Sequence, residues 1–441
     1  MATPVCKEAS KCRLCKREGL KPVIDLGLQY VVDFVPDPMD SKLVRVPLKM
    51  VRCTKCGLVQ LQHTVNPDLL YRKFWYRSAI NEQMRMALNH IVECAMELVQ
   101  PEKGDAVLDI GANDGTLLGW YPGVVKTVGI DPCAELMDEA WNNKRADVVI
   151  RDYFSAEKVK AYGPYKIITA IAMFYDLDDP VEFLRQCKSV LAPDGVLVIQ
   201  MNYLMGMLTN FAVDNIAHEH LTYYSLHTLK TAVEAAGLDI VGAQENDVNG
   251  GSFRVYVSHP NFSPKAPNSF SVDIVLKAAD MMLKEWKAAL DGQEIYSKFE
   301  QGIKDKCSAL KTYLNKLASE EARIYIYGAS TRGTVLMQLL DLGKGVIQGC
   351  AERDEKKFGL HMIGGTWPKI YPEDYVRSRA THFLVLPWHF KQSVVKREEQ
   401  WLRSGGKMIF PLPTPHVQSF GSEPVYIGYE PEPQPAMEEL S

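Results

Sequence analysis

Between residues 211 and 225 the chain reads Phe-Ala-Val-Asp-Asn-Ile-Ala-His218-Glu219-His220-Leu-Thr-Tyr223-Tyr224-Ser. Imidazoles, a carboxylate and phenols so close together concentrate groups that take and give protons. His220 is the candidate general base, with Glu219 orienting its imidazole or stabilising its cation; His218 and Tyr223 complete the set. Two other readings stay open. The segment can be a structural hydrogen-bonding cluster, or His-x-His can place two metal ligands on one strand face, with a third ligand missing.

A second group is Cys12-x-x-Cys15 and Cys53-x-x-Cys56, four of the ten cysteines. Each pair sets two thiolates on a tight turn, half of a tetrahedral S4 site. Lys11, Arg13, Lys16, Arg17, Arg52 and Lys55 flank the pairs and offset the negative charge of four thiolates. Four protein ligands leave a zinc ion no open position, so the expected metal is structural. A redox role for one pair is the alternative, but neither pair stands at a strand-to-helix junction.

The elements that must position these groups follow from near-continuous apolar runs. Strands are expected at 106–111, 126–131, 146–152, 165–174 and 195–201, separated by helical stretches. That alternation means a parallel sheet covered on both faces, with ligands at the strands' carboxyl ends. The first strand runs into Asp109-Ile-Gly111-Ala-Asn113-Asp114-Gly115-Thr116, where Gly111 permits close backbone approach and a helix is expected from about Thr116. Asp131, 22 residues beyond Asp109, is placed to accept ribose hydroxyls. Asp152, with Tyr153 and Phe154, suits an adenine and its amine. Met173, after the fourth strand, joins this cofactor set. The full G-x-G-x-x-G and the phosphate-loop lysine pattern are absent. The loop and its acids resemble the S-adenosylmethionine (SAM) site of class I methyltransferases. Asn249-Gly250-Gly251 before an alternating strand predicts a hairpin adding an antiparallel strand.

Further on, 272–321 reads as helical. Residues 322–334, Ala-Arg-Ile-Tyr-Ile-Tyr-Gly328-Ala-Ser-Thr-Arg332-Gly333-Thr334, read as strand, glycine turn and helix. The turn's N–H groups and Arg332 suit a diphosphate. A purely structural fold, or a nicotinamide-nucleotide site for which no ribose-holding acid is evident, are the alternatives.

The whole-chain figures fit such an assembly. A length of 441 residues suggests about three domains. With 50 Lys plus Arg against 54 Asp plus Glu, the net charge of −4 gives no footing for bulk nucleic acid or an acidic membrane. A salt-sensitive zinc module binding nucleic acid is the alternative from another class. No apolar run is long enough to span a bilayer, and the first residues lack a signal pattern. A cytoplasmic protein, monomeric or weakly self-associating, is expected.

Taken in order, the paired cysteines, Asp109-Ile-Gly-Ala-Asn-Asp-Gly, His218-Glu-His-Leu-Thr-Tyr-Tyr-Ser, Asn249-Gly-Gly-Ser-Phe-Arg-Val-Tyr-Val, Tyr327-Gly-Ala-Ser-Thr-Arg-Gly-Thr and Gly405-Gly-Lys-Met-Ile-Phe-Pro-Leu-Pro resemble a three-domain family of SAM-dependent sugar C-methyltransferases. The resemblance implies an α/β fold with a zinc-binding domain (1–75), a class I Rossmann-like methyltransferase domain (76–262) and a helical linker with a C-terminal Rossmann-like substrate domain (263–424). A disordered acidic tail (425–441) follows. It implies SAM and structural Zn2+ as cofactors, and a nucleotide-linked keto-deoxysugar methylated at carbon through an enolate. His220 matches the family's base, Glu219 its neighbour, and Tyr76 in Phe74-Trp-Tyr-Arg-Ser a tyrosine reaching the site; Asn249 and Arg332 are expected at the substrate. Members acting on keto-sugars can carry a histidine after the fourth strand, where this chain has Met173-Phe174-Tyr175-Asp176. Methyl transfer to oxygen or nitrogen of another small metabolite is the nearer alternative.

Overall fold

The computed structural model describes residues 5–31, 33–38, 43–71, 75–264 and 269–428. Two compact units form. The first holds residues 1–25, 49–206 and 218–295; the second holds 26–48, 207–217 and 296–441.

In the first unit, strands β1 (Ala106–Ile110), β2 (Lys126–Ile130), β3 (Val148–Ile150), β4 (Tyr165–Ile171), β5 (Leu191–Asn202), β6 (Asp239–Asn246) and β7 (Ser252–Ser258) form one sheet in the order β6-β7-β5-β4-β1-β2-β3. The first five are parallel, and β7 enters antiparallel between β5 and β6. Alternate residues feed two cores. Leu108, Ile110, Val128, Ile168 and Leu197 face one side; Val107, Ile167, Val196 and Val198 face the other. Parallel strands buried on both faces are why these segments read as unbroken apolar runs. Short helix α1 (Pro67–Tyr71), long helix α2 (Glu82–Val99), α3 (Leu226–Ala235) and α4 (Ser269–Lys287) belong to this unit. Asn81 caps α2 and Ser225 caps α3, each with a side-chain oxygen accepting an N–H of the first turn.

One expected element is absent. The loop after β1 opens into a single 3-10 turn, Leu118–Trp120, instead of an α-helix. Pro122 and Gly123 follow at once and β2 begins at Lys126, which leaves no room for a longer helix.

The second unit repeats the plan. Helix α5 (Glu294–Ser319) leads into β8 (Ile324–Tyr327), then α6 (Thr331–Leu340), β9 (Cys350–Glu352), β10 (Ile370–Pro372), β11 (His382–Val385), β12 (Lys407–Phe410), β13 (His416–Gln418) and β14 (Val425–Tyr426). Their order is β10-β9-β8-β11-β12-β13-β14, all running one way except β13, which lies antiparallel between β12 and β14. The tail expected to be disordered from 425 therefore begins with an edge strand, because Val425 and Tyr426 pair with Val417 and His416; residues 429–441 lie outside the described residues. The excursion 26–48 is built into this unit: Phe34–Val35 pairs with His361–Met362, and Tyr30 donates its N–H to Gln338 Oε1. Among the described residues no helix is long and apolar enough to cross a membrane.

Candidate active site and zinc centre

The two cysteine turns have matching backbones. Lys16 N–H donates to Cys12 O and Gly57 N–H to Cys53 O, with Lys16 and Gly57 both left-handed (φ 58° and 79°). Cys12 and Cys56 Sγ are 3.5 Å apart, Cys15 and Cys53 Sγ 3.6 Å, and all four sulfurs fall within 4.8 Å of one another. A tetrahedron of Zn–S bonds near 2.3 Å spaces its sulfurs by about 3.8 Å, so the set fits zinc. Crowding against Cys56 and burial push the Cys12 thiol well up when protons fill the site; a dication relieves that crowding. Among the described residues this is the group of three or more metal-binding side chains that converges. The His218–His220 segment forms a turn rather than a strand face, which removes the basis for pairing its histidines on one ion.

Arg13, between the first two cysteines and 4% exposed, ties this module to the rest of its unit. Its guanidinium donates to Leu61 O, Thr64 Oγ1 and Asp178, and its N–H to Gln60 Oε1. Strand Val59–Leu61 pairs antiparallel with Thr222–Tyr223, and Leu61 N–H donates to Leu221 O. The segment just after His220 is thus an added strand on the zinc module.

The residues expected to hold the cofactor stand at the carboxyl edge of the sheet. Gly111 is left-handed (φ 73°), and a Cβ there would meet Met173 Cγ at 3.1 Å. Gly111→Ala should therefore cost about 1–2 kcal/mol in backbone conformation alone. Titration calorimetry should show weaker S-adenosylhomocysteine (SAH) binding, and unchanged affinity would contradict this placement of the loop. Asp131 accepts the N–H of Asn113 at 3.0 Å and of Cys133 at 2.8 Å. Burial raises its pKa, while those two bonds lower it. Asp109, 3% exposed, accepts from Thr169 Oγ1 at 2.6 Å; burial pushes its carboxyl up to about 7. A bound cation would favour its ionised form. Asp152 instead pairs with Lys158 Nζ at 2.7 Å, and Phe154 packs edge-on to Phe183 in the core. Tyr153 donates to Asp68.

Tyr76 lies against the loop that follows β1. Its carbonyl accepts from Asn113 Nδ2 at 3.0 Å and its side chain is exposed; Phe74 of that motif lies outside the described residues. Sequence reasoning passed over what fastens this stretch. Ala79 N–H donates to Asp114 Oδ2, Ser78 N–H to Asn113 Oδ1, and Arg77 forms ion pairs with Glu135 and Glu139. Asp114 also takes Thr116 Oγ1 at 2.6 Å. The Asp114-Gly-Thr116 spacing carried that signal, since short polar side chains after a glycine loop bond local N–H groups.

The His218–Ser225 segment packs on the loop after β4. The His220 ring lies 4.2 Å from Tyr175, and Thr222 Oγ1 donates to Tyr175 O at 3.0 Å. His218 is 1% exposed and Tyr223 is buried. Burial pushes Glu219 up to about 7. Tyr71 Oη donates to Glu219 O at 3.0 Å. Tyr71 and Asp176, which burial and the Glu219 charge hold well above the usual carboxylate range, were missed. Neither belongs to a local sequence pattern, because they meet only through the fold. Asn249, left-handed (φ 55°), lies in the turn between β6 and β7.

In the second unit Gly328 (φ 84°) opens the turn before α6, and Ser330 caps that helix through Gly333 N–H. Arg332 pairs with Asp214 Oδ2 at 2.8 Å, and Trp388 Nε1 donates to the same oxygen. With Asp214 2% exposed, Asp214→Ala strands a largely buried guanidinium. It should destabilise this unit by about 3–5 kcal/mol in denaturant unfolding; a loss under ~1 kcal/mol would contradict the pairing. An acid does stand after the second strand of this sheet: Glu352 accepts Ala329 N–H at 2.9 Å, with Lys357 Nζ 3.7 Å away.

Three family models match in succession: a zinc binding domain (residues 12–71), a methyltransferase domain (80–243) and the C-methyltransferase C-terminal domain (247–413). The chain is similar to C-methyltransferase NovU from Streptomyces niveus, 26% identical over 422 residues, which cover 94% of this chain and 98% of that one. A SAM-dependent methyltransferase from Clostridium acetobutylicum ATCC 824 and N-methyltransferase NodS from Bradyrhizobium japonicum WM9 are each 13% identical with a TM-score of 0.33. They cover 41% of this chain and 93% and 99% of their own. At those scores the fold rests on its own strand order, a SAM-methyltransferase sheet preceded by a four-cysteine zinc centre. With a zinc binding domain, a methyltransferase domain and a C-methyltransferase C-terminal domain matched in this order, the chain is a SAM-dependent methyltransferase with the three-domain layout of its C-methyltransferase relative.

Proposed function

We propose that the acceptor is the carbon next to the ketone of a nucleotide-linked deoxysugar, and that His220 removes its proton. One observation carries this reading: a histidine with a half-buried acid beside it in the chain stands against the loop that also holds Met173 over Gly111. SAM supplies an electrophilic methyl group. An amine acceptor needs only its lone pair, whereas carbon must first become an enolate, which requires a base. The relative's name, C-methyltransferase, supports carbon as the acceptor atom.

In this reading neutral His220 takes the proton on the carbon alpha to the ketone, and the C–H electron pair moves into the enolate. The enolate carbon would then use its electron pair to form the new C–C bond, with the pair of the broken C–S bond staying on sulfur. Glu219, ionised, stabilises the imidazolium, which later releases its proton to water. The second doubly wound sheet, with the Gly328 turn at a capped helix, supports a nucleotide on the acceptor. The site residues named above and the domain limits 1–75, 76–262 and 263–424 belong to this proposal.

Because Glu219 titrates at about 7, the ionised form becomes available as pH rises through that value. Turnover should therefore increase across neutral pH, and Glu219→Gln should remove that limb from the kcat profile. A profile unchanged by Glu219→Gln would overturn the role. Stability runs the other way: burial favours the protonated acid, so this group's contribution is lost as pH rises through about 7. Deuterium wash-in beside the ketone, with SAH in place of SAM, tests the base itself. Methylation without it would favour an oxygen or nitrogen acceptor.

A further inference from the structure

Helix α4 (Ser269–Lys287) is apolar on two opposite faces. The inner face is fixed. Ile274 and Met281 are buried there, and Glu285, 4% exposed, accepts the N–H groups of Leu226 and His227 at the start of α3 and the hydroxyl of Tyr203 at 2.8 Å. Those bonds set the rotation of the helix, so its outer face cannot turn inward. On the outer face stand Val272, Val275, Leu276, Ala279, Leu283 and Trp286, all exposed, Trp286 at 78% and Leu276 at 64%. At 3.6 residues per turn they fall within about 100° of arc and run about 21 Å along the axis. A contiguous apolar stripe of this kind marks an interaction surface.

The charges beside the stripe say what covers it. One side carries, in order, Asp273, Lys277, Asp280, Lys284 and Lys287; the other, with Ala278 and Met282, carries none. Lys277 pairs with Asp273 at 2.7 Å and Lys284 with Asp280 at 2.9 Å, all about half exposed and open to a second partner. Reversed about Ala279, the order becomes complementary to itself. Position 273 then faces 285, which puts Asp273 between Lys284 and Lys287 of the partner subunit, and Asp280 comes beside Lys277 of the partner subunit. The apolar residues match by size in the same register. Trp286 meets Val272, Leu283 meets Val275, and Ala279 meets itself, where a small side chain permits close approach. A parallel pair would instead set the charged side of one helix against the uncharged side of the other.

We propose that α4 is a homodimer interface, pairing antiparallel with α4 of a second copy of this chain about a two-fold axis at Ala279. A single helix pair lies below the ~1,200–2,000 Å² of a standard interface, so the dimer is weak, with a Kd of about 10 µM. It depends neither on the acceptor nor on the base.

Sedimentation of the full chain with SAH, from about 1 to 200 µM so as to bracket that Kd, should show a monomer–dimer equilibrium. A monomer throughout would overturn the pairing. Trp286→Ala should weaken the dimer at least about tenfold. Asp273→Lys and Lys287→Asp should each weaken it about tenfold, and the two together should return it to within roughly threefold of the parent, because opposite charges face each other again. Ala279→Cys, mildly oxidised, should give a disulfide between two copies of the peptide around position 279, read by mass spectrometry. These positions are exposed, so the melting temperature should hold in every variant. A dimer indifferent to Trp286→Ala, a double reversal no better than either single one, or no such crosslink in Ala279→Cys would overturn the antiparallel register. A monomer that binds phosphatidylcholine vesicles, and loses them in Trp286→Ala, would assign the face to lipid and overturn the proposal.

Discussion

Replacing His220 by alanine is expected to cut methyl transfer by orders of magnitude while SAH still binds. A positioned general base contributes about 10²–10⁴ in rate, and no other group in the segment replaces it. His218 is buried at 1% exposure, Glu219 is an acid held up to about 7, and Tyr223 is committed to the strand paired with Val59. The cofactor loop is built from other contacts, Asn113 with Asp131 and Asp109 with Thr169. A fall in kcat of about 10²–10⁴ with little change in SAH affinity is therefore the expected split. Loss of SAH binding in step with turnover would mean that the substitution had damaged the fold.

Removing the zinc should be nearly as damaging, although the metal takes no part in the chemistry. Structural zinc contributes about 10–16 kcal/mol to small zinc domains, and here the module carries more than itself. With the cysteine turns loosened, Arg13 loses its fixed position, and with it the bonds to Leu61 O and the Gln60 side chain. The Val59–Leu61 strand then no longer holds Thr222–Tyr223, two residues past His220. Chelation, or Cys53→Ser, should lower the melting temperature and turnover together, and metal analysis of the intact chain should give about one zinc per chain. Full activity after zinc is stripped would contradict this account.

How far the sequence disclosed this arrangement depended on the range of each contact. The parallel sheet was legible because doubly covered strands are apolar without interruption, and the zinc centre because each half-site is local. The turn at Gly111 and the hairpin at Asn249 were legible for the same reason. Asp176 and Tyr71 were not: they are 105 residues apart and share an environment only after β4 and α1 are placed. The excursion of 26–48 into the second unit was equally hidden, since Phe34 and Val35 find their partners at 361–362. The loop after β1 looked like a helix start because glycine loops usually open one, and Pro122 overrode that tendency. Arg332 read as an anion ligand from its place at a helix start; nothing nearby in sequence announced Asp214.

The central claim is that carbon is methylated through an enolate made by His220. The most direct test incubates the protein with SAM labelled at the methyl carbon and a panel of nucleotide-linked 4-keto-6-deoxyhexoses, reading the product by carbon NMR. The account predicts a labelled methyl bonded to the carbon beside the ketone, formed by the intact protein and not by His220→Ala. A labelled methoxy or N-methyl signal, or the same C-methyl product from His220→Ala, would contradict it.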